Sequence, residues 1–251
     1  MTAPLFFADP TQLRAAAAGE AFDLAGSEGH HASTVRRLGA GEKLDLADGA
    51  GLVFSAEVTG VRGHVLLTRL IERVELARPV PSITVVQALA KGDRDERAVE
   101  AMTEVGVDAI VAWQAARSIV RWDTARAEKG IGRWRSTARE AAKQARRPWL
   151  VDVPALESTA TVVSRLEAVT ARGGVAIVLH EAADRPLAGL DVAAPEVVLV
   201  VGPEGGIDDD ERAAFETAGA VTRRLGPTVL RTSTAGPIAA ALVMASSGRW
   251  A

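Results

Sequence analysis

The sequence predicts an α/β protein in which a small β-barrel precedes a larger domain of alternating strands and helices. Residues 43–70 contain short apolar or alternating runs between glycine turns, which is typical of a barrel of short strands. From residue 83 onward strands alternate with helices, which favours a mostly parallel sheet covered on both faces. The stiff, proline-containing segment 78–81 separates the two patterns. We therefore expect a first domain over 1–77 and a second over 78–251.

Three strands are predicted in the first domain, at 43–47, 52–58 and 64–70. The glycine-rich turns 48–51 and 60–63 separate them. Upstream of the first strand, the stretch 29–44 predicts a short helix that carries Arg36 and Arg37. The first domain is therefore expected to be mostly β-structure with one basic helix.

The second domain is predicted from a repeated change between buried strands and amphipathic helices. Apolar runs predict strands at 83–88, 109–113, 175–179 and 197–201. Helical spacing of apolar residues predicts helices at 93–105, 129–145, 162–170, 208–218 and 237–246. Gly106 ends the first of these helices, and Asp208 followed by Glu211 forms a capping-box pattern at the fourth.

The composition excludes several kinds of chemistry. The chain has no cysteine and no tyrosine, which excludes disulfides, thiolate nucleophiles, cysteine zinc sites and phenolic acids or bases. With only four histidines, we expect no metal site. No apolar run approaches the roughly 18 residues of a membrane span, and the first residues lack the pattern of a secretory signal. We therefore expect a cytoplasmic protein without a membrane partner.

The net charge of −3 conceals a basic segment in the middle of the chain. Residues 112–150 contain ten Lys and Arg residues and three Asp and Glu residues, together with four tryptophans. Guanidinium groups contact phosphates in a bidentate manner and indoles stack on bases, so a site for RNA or DNA is one interpretation. The other interpretation is a solvated arginine-rich helix whose tryptophans cover the core.

Three predicted strand ends carry unusual residues, at 179–181, 201–207 and 225–235. Ligands of open α/β sheets bind at the carboxyl ends of the strands, so these segments are candidates for one site. The Gly-Pro-Glu-Gly-Gly turn at 202–206 has neither the Lys-Ser/Thr of a P-loop nor the spacing of a dinucleotide fingerprint. Its glycines instead allow the backbone to approach a flat ligand closely.

The turn GPEGG and the later segment LGPTVLRTSTA resemble the RsmE family of 16S ribosomal RNA methyltransferases, which belongs to the SPOUT class. The stretch 30–51 resembles the family's PUA-like barrel, and Lys91 with Glu100, Glu104 and Gly106 resembles its Lys…Glu-x-Gly helix. The basic segment matches the family's central block, so the resemblance covers nearly the whole chain. It implies a trefoil-knotted methyltransferase domain with a parallel sheet after a PUA-like barrel.

The resemblance also implies an activity. The family transfers a methyl group from S-adenosylmethionine to N3 of a uridine in small-subunit ribosomal RNA, so we expect this reaction here, on the assembled 30S subunit. A homodimer without a metal is implied as well. The implied cofactor-binding residues are Leu179, His180, Glu181, Gly202, Glu204, Gly205, Gly206, Ile207, Leu225, Gly226, Leu230, Arg231, Thr232, Thr234 and Ala235. The implied RNA-binding residues are Arg36, Arg37, Lys91, Arg117, Arg133, Arg139 and Arg147.

Methylation at N3 of uracil removes a proton, so a nearby cation should stabilise the anionic base. Arg231 is our first candidate for that catalytic role, and its alternative role is a salt bridge to Glu204 or Glu181. Glu204 is the second catalytic candidate, and three roles stay open for it: accepting the N3 proton, anchoring the amino group of the cofactor, or bonding to the backbone of its own turn. The family usually has a glutamate where Ser233 stands, and a serine cannot replace a carboxylate base.

Two other functions stay open. A related SPOUT enzyme methylates a ribose 2′-hydroxyl or another base of transfer or ribosomal RNA, but the PUA-like barrel and the GPEGG and LRTSTA segments favour N3 of uridine. The other alternative is a non-catalytic RNA-binding factor for ribosome assembly. Such a factor would not bind S-adenosylmethionine, so isothermal titration distinguishes it from an enzyme.

Overall fold

The computed structural model describes residues 3–250, which form two compact units. The first unit extends to Arg78 and also includes Ala142–Leu150, while the second contains Pro79–Ala141 and the chain from Val151 onward. The sequence-based division had placed 142–150 in the second domain. The structure places this segment in the first unit, where the Leu150 amide donates to the Gly49 carbonyl at 2.9 Å.

The first unit is built on a five-stranded sheet in the order β1-β3-β4-β5-β2. The strands are β1 (Leu5–Phe7), β2 (Ala21–Leu24), β3 (Lys43–Ala47), β4 (Leu52–Arg62) and β5 (Val65–Glu75). Strand β1 is parallel to β3, and the other neighbours are antiparallel. Two short helices, α1 (Pro10–Ala15) and α2 (Gly26–His30), accompany the sheet. Leu44, Leu46, Phe54 and Leu66 are fully buried in its core.

The helix predicted to carry Arg36 and Arg37 is shorter than expected. Helix α2 continues only through a π-helical turn, His31–Val35. Arg36 flanks this turn, and Arg37 has a left-handed φ of 54°, which is incompatible with a continuing helix. Both arginines therefore lie in the exposed loop after the helix.

The second unit is built on a parallel five-stranded sheet in the order β10-β8-β9-β6-β7. Its strands are β6 (Ser82–Ala88), β7 (Ala109–Trp113), β8 (Val175–Leu179), β9 (Glu196–Val201) and β10 (Val221–Arg223). Its helices are α3 (Arg94–Val105), α4 (Thr124–Gln144), α5 (Thr159–Ala171), α6 (Asp209–Thr217) and α7 (Thr232–Ser246), and the last three residues of α4 belong to the first unit. The predicted parallel sheet is confirmed, and the knot stays a prediction.

Two apolar clusters cover the two faces of this sheet. One contains residues of α3, α4 and α7, including Met102, Trp134 and Val243, and the other contains residues of α5 and α6, including Leu166 and Phe215. Strands with both faces covered read as continuous apolar runs, which explains why the sequence pattern located them.

Helix boundaries differ from the prediction where polar residues begin a helix. Helix α4 begins at Thr124 instead of 129, because the Asp123 carboxylate accepts a hydrogen bond from the Arg126 amide at 2.9 Å. The sequence pattern predicts that helix α7 begins at Pro237. In the structure it begins five residues earlier, at Thr232. The capping box of Asp208 and Glu211 is present at α6 as predicted.

Candidate active site

A cavity of about 320 Å³ opens at the carboxyl ends of β8 and β9, beside the segment that leads into α7. Parallel strands direct their carboxyl ends to one edge of the sheet, so segments that are distant in sequence meet there. Most of the predicted cofactor-binding residues line this cavity: Leu179, His180, Glu181, Gly202, Glu204, Gly206, Ile207, Leu225, Gly226, Leu230, Arg231, Thr232 and Ala235. The three strand ends singled out in the sequence therefore form one concave site.

Gly205 and Thr234 do not line the cavity. A Cβ atom at Gly205 would lie 3.1 Å from the carbonyl oxygen of Arg117, so this glycine accommodates a neighbouring turn. The Thr234 amide donates to the carbonyl of Arg231 at 2.8 Å, which places it in the first turn of α7. Both residues shape the site from outside the lining.

Five lining residues were missed in the sequence: Arg94, Val201, Pro203, Thr228 and Val229. Pro203, Thr228 and Val229 lie inside the strand-end segments that the sequence analysis singled out, and Val201 stands at the start of one of them, so taking each segment whole would have included all four. Arg94 is different, because it is the first residue of α3 and comes from a distant part of the chain. The only signal in its favour is its proximity to Lys91, which the family resemblance had singled out.

A buried hydrogen-bond chain joins the walls of the cavity. The Gln87 side-chain amide, at the end of β6, donates to Thr232 Oγ1 at 2.8 Å, and Thr232 Oγ1 donates to the carbonyl of Gly202 at 2.8 Å. Gln87 is fully buried, and Thr232 is 6% exposed. Buried polar groups of this kind fix geometry because every broken bond leaves an unpaired partner. The start of α7 is thereby fixed to the GPEGG turn.

Glycines give the GPEGG turn its shape. A Cβ atom at Gly202 would lie 2.7 Å from Ile207 Cγ1, so no side chain fits there. Gly206 has a φ of 75°, in the left-handed region that favours glycine. Open space surrounds the Cβ positions of Gly206 and Gly226, so a ligand in the cavity can approach the backbone at both points.

Glu204 is held by two hydrogen bonds from the segment that begins α3. Its Oε1 accepts from Arg94 Nη1 at 2.7 Å and from the Lys91 amide at 3.1 Å. Partial burial raises the pKa of Glu204, but its own backbone amide, Arg94 and Lys91 stabilise the carboxylate more strongly. The net effect holds the pKa below its ordinary value. Glu204 is therefore an anchored carboxylate at neutral pH.

Arg231 is the other catalytic candidate at this cavity. It occupies the position before α7, is exposed, and lines the cavity. Within residues 3–250 its guanidinium group makes no hydrogen bond or ion pair, so the expected alternative of a salt bridge to Glu204 or Glu181 is wrong. Glu204 pairs with Arg94 instead. An unpaired guanidinium at a cavity is available to a ligand.

His180 also has a fixed orientation. Its Nδ1 accepts a hydrogen bond from the Ala182 amide at 3.2 Å, so the neutral ring carries its proton on Nε2. The residue lines the cavity at the end of β8.

The predicted RNA-binding residues differ in their surroundings. Arg36, Arg37 and Lys91 are exposed, whereas Arg139 and Arg147 are half-buried. Arg117 pairs with Asp208 at 3.0 Å, and Arg133 pairs with Glu96 at 3.3 Å. The charge of these last two side chains is thus partly neutralised within the protein.

Two further findings concern the described part of the chain. Across residues 3–250, no three His, Cys, Asp or Glu side chains are grouped so that they could hold a metal ion. None of the helices in that range combines the length and the apolar character needed to cross a bilayer.

Comparisons with known proteins identify the class. Residues 77–244 match the family model of an RNA methyltransferase domain, and residues 24–68 match that of an RNA methyltransferase PUA domain. The protein is therefore an RNA methyltransferase with a PUA domain. The ribosomal RNA small subunit methyltransferase E of Mycobacterium bovis is 45% identical over all of this chain and 94% of its own length. The chain belongs to the ribosomal RNA small subunit methyltransferase E family, which confirms the resemblance to the RsmE family.

Other relatives agree. The Bacillus subtilis protein of the same name is 29% identical, over 85% of this chain and 86% of its own. A Neisseria gonorrhoeae ribosomal RNA small subunit methyltransferase E, solved bound to S-adenosyl methionine, superposes with a TM-score of 0.83, 25% identity and 97% coverage of both chains. A methyltransferase from Legionella pneumophila, solved with the cofactor SAM, gives a TM-score of 0.81, 26% identity and 98% coverage of both chains. These likenesses confirm the SPOUT fold class.

Proposed function

We propose that this protein transfers the methyl group of S-adenosylmethionine to N3 of a specific uridine of 16S ribosomal RNA in the assembled 30S subunit. The observation that carries the proposal is the cavity at the ends of β8 and β9, where glycine turns expose backbone beside an unpaired arginine. The names of the relatives and the cofactor bound to the two solved neighbours support methyl transfer from S-adenosylmethionine to small-subunit ribosomal RNA.

The residues of the cavity fit S-adenosylmethionine. Its volume of about 320 Å³ falls within the range of roughly 300–1,000 Å³ that is usual for small-molecule sites. Apolar side chains, including Leu179, Ile207 and Leu225, offer contacts for an adenine ring. The open faces of Gly206 and Gly226 bring backbone polar groups within reach of its nitrogen atoms. When bound, the cofactor supplies a methyl group that is already activated by a sulfonium.

Arg231 is assigned to the target base. Uracil carries a proton at N3, and the nitrogen becomes a strong nucleophile only as that proton leaves. A guanidinium without a partner in the protein stabilises the developing negative charge on the base. Backbone bonds from Thr234 and Ala235 to the Arg231 carbonyl fix the main chain from which this side chain extends at the cavity.

Glu204 is assigned to anchoring rather than to proton transfer. Its lowered pKa makes it a weaker base, and Oε1 already accepts hydrogen bonds from Arg94 and Lys91. The carboxylate instead fixes the turn and offers a negative charge for the amino group of the cofactor. The proton from N3 then passes to solvent.

RNA binding is assigned to the exposed basic residues. Arg36 and Arg37 of the PUA domain and Lys91 beside the cavity have solvent-exposed side chains that can contact phosphates. Arg117, Arg133, Arg139 and Arg147 contribute to the field of the central basic segment. We also propose a cytoplasmic homodimer, in which the RNA contacts of one subunit guide the substrate to the site of the other.

The experiment is transfer of labelled methyl from S-adenosylmethionine to 30S subunits and to naked 16S RNA from a strain that lacks the enzyme, followed by nucleoside mass spectrometry. We expect 3-methyluridine, formed faster in subunits than in naked RNA. Subunits from the parent strain are the control, because their site is already modified. A 2′-O-methyl nucleoside would indicate the other SPOUT activity, and RNA binding without incorporation would indicate an assembly factor.

A further inference from the structure

Arg94 is part of the cavity wall although it belongs to none of the three strand-end segments. It is the first residue of α3, and its guanidinium reaches across to Glu204, 110 residues further along the chain. The Lys91 amide binds the same carboxylate oxygen. The start of α3 and the GPEGG turn are therefore joined by one carboxylate.

The GPEGG turn has three supports of different kinds. At its start, Thr232 binds the Gly202 carbonyl inside the protein. At Gly205, the backbone of Arg117 packs against the turn. At Glu204, the support is the ion pair with Arg94, whose side chain is 43% exposed. The first two supports are buried or steric, so only the third can be removed by substituting a side chain at the rim.

An ion pair of this exposure adds little to global stability, at most about 1 kcal/mol. The ion pair can still affect ligand binding, because a site built from backbone groups depends on the conformation of the GPEGG turn. A turn that must be ordered when the ligand binds loses affinity by the cost of that ordering.

We propose that Arg94 is a positioning residue for the cofactor: by holding Glu204 it fixes the GPEGG turn in the conformation that binds S-adenosylmethionine. This inference rests on the proposed function. Arg94 acts through Glu204, and its loss weakens cofactor binding without unfolding the protein.

The test is isothermal titration of S-adenosylmethionine into the full-length protein and its variants. We expect Arg94→Ala to raise the Kd about tenfold, which corresponds to about 1.4 kcal/mol, with a melting temperature close to that of the wild type. Arg94→Lys should recover part of the affinity, because it keeps the charge but loses the planar fork of donors. In methylation assays, the KM for the cofactor should rise while kcat changes by less than about twofold.

Arg97→Ala is the matched control. Arg97 lies on the same helix and forms an exposed ion pair with Asp93 at 2.8 Å, but it does not line the cavity. Its substitution should leave the Kd unchanged.

A double-mutant cycle assigns the effect to the pair. In the Glu204→Gln background, Arg94→Ala should raise the Kd by less than about threefold, because the interaction is already weakened. Equal effects in both backgrounds would overturn the inference, as would an unchanged Kd in Arg94→Ala or an equal loss in Arg97→Ala. If Arg94→Ala fails to fold, the cycle is measured with Arg94→Lys. Wild-type affinity in Arg94→Lys, or an equal effect of Arg94→Lys in both backgrounds, would then overturn the inference. A wild-type protein that binds no cofactor would instead contradict the proposed function itself.

Discussion

The cavity and helix α4 both carry arginines, but the two sets differ in what surrounds their charges. On α4, Arg133 pairs with Glu96 at 3.3 Å, and Arg135 Nε donates to the Val153 carbonyl at 2.9 Å. At the cavity, the guanidinium of Arg231 has no partner in residues 3–250. The helix has the higher density of positive residues, whereas the cavity has a charge that is available to a ligand.

This difference shows what a charge count along the sequence measures. The excess in 112–150 correctly identifies a basic segment, but part of that charge serves the fold by neutralising carboxylates of α3. A single arginine before α7 does not stand out in the count. Its importance follows from its place at the ends of the strands.

The largest effect is expected at the cavity. Arg231→Ala should lower the single-turnover methylation rate by about 10²–10³-fold, which is the usual cost of removing a preorganised group that stabilises developing negative charge. Arg231→Lys should recover part of the rate, and the Kd for S-adenosylmethionine should stay within about threefold in both variants. A rate within about tenfold of the wild type would show that the unpaired charge has no catalytic role.

The next effect concerns the acidic side of the α3–α4 contact. Burial raises the pKa of Asp95 to about 6. The Glu96 amide and Arg133 stabilise the carboxylate and lower the pKa, but their effect is smaller than that of burial. The unfolded carboxyl loses its proton near pH 3.8 and the folded one only near pH 6, so the protein should lose stability as the pH rises through this interval. Asp95→Asn should raise the free energy of unfolding by about 2 kcal/mol at pH 8.

Urea unfolding at several pH values checks this prediction. The gap between Asp95→Asn and the wild type should narrow as the pH falls toward 4, because the wild-type carboxyl is then neutral in both states. If the difference in free energy of unfolding did not depend on pH, ionisation of Asp95 would not destabilise the folded protein, and the prediction would be wrong.

A smaller effect is expected for RNA binding. Replacement of Arg133, Arg139 and Arg147 by alanine together should weaken binding of 16S RNA about tenfold and flatten its salt dependence, because fewer counterions are released. Arg133 already has a carboxylate partner, so it contributes less than a full phosphate contact. The slope of log affinity against log salt concentration should therefore fall by less than the loss of three full phosphate contacts would produce. The control is Arg172→Ala, which removes an exposed pair with Glu196. Unchanged affinity and slope in the triple variant would assign the basic helix to the fold alone.

Much of the fold could be predicted from the sequence where a strand has a clear hydrophobic pattern. Strands β3, β7 and β8 match their predicted limits from end to end, because β7 and β8 are apolar runs and β3 alternates charged with apolar residues. Strand β10 escaped the prediction because it has three residues, all half-buried at the edge of the sheet. Short edge strands leave almost no hydrophobic pattern.

The candidate site was predictable to a similar extent. Turns such as GPEGG are visible in the sequence, since Gly202 is required by nearby Ile207 and Gly206 by its own positive φ. The contributions of Gln87 and Arg94 were not visible, because each acts on a partner more than 100 residues away. Such pairs are defined by the packing of the sheet and its helices and not by any local pattern.

The most direct test of an anion-stabilising Arg231 compares two substrates. Fluorine at C5 makes N3 of uracil more acidic, so 16S RNA transcribed with 5-fluorouridine needs less help to lose its proton. Single-turnover rates of the wild type and Arg231→Ala are measured on 30S subunits reconstituted with either RNA. We expect the defect of Arg231→Ala to shrink by at least about tenfold on the fluorinated substrate. An equal defect on both substrates would contradict the assignment of Arg231 to the charge on the base.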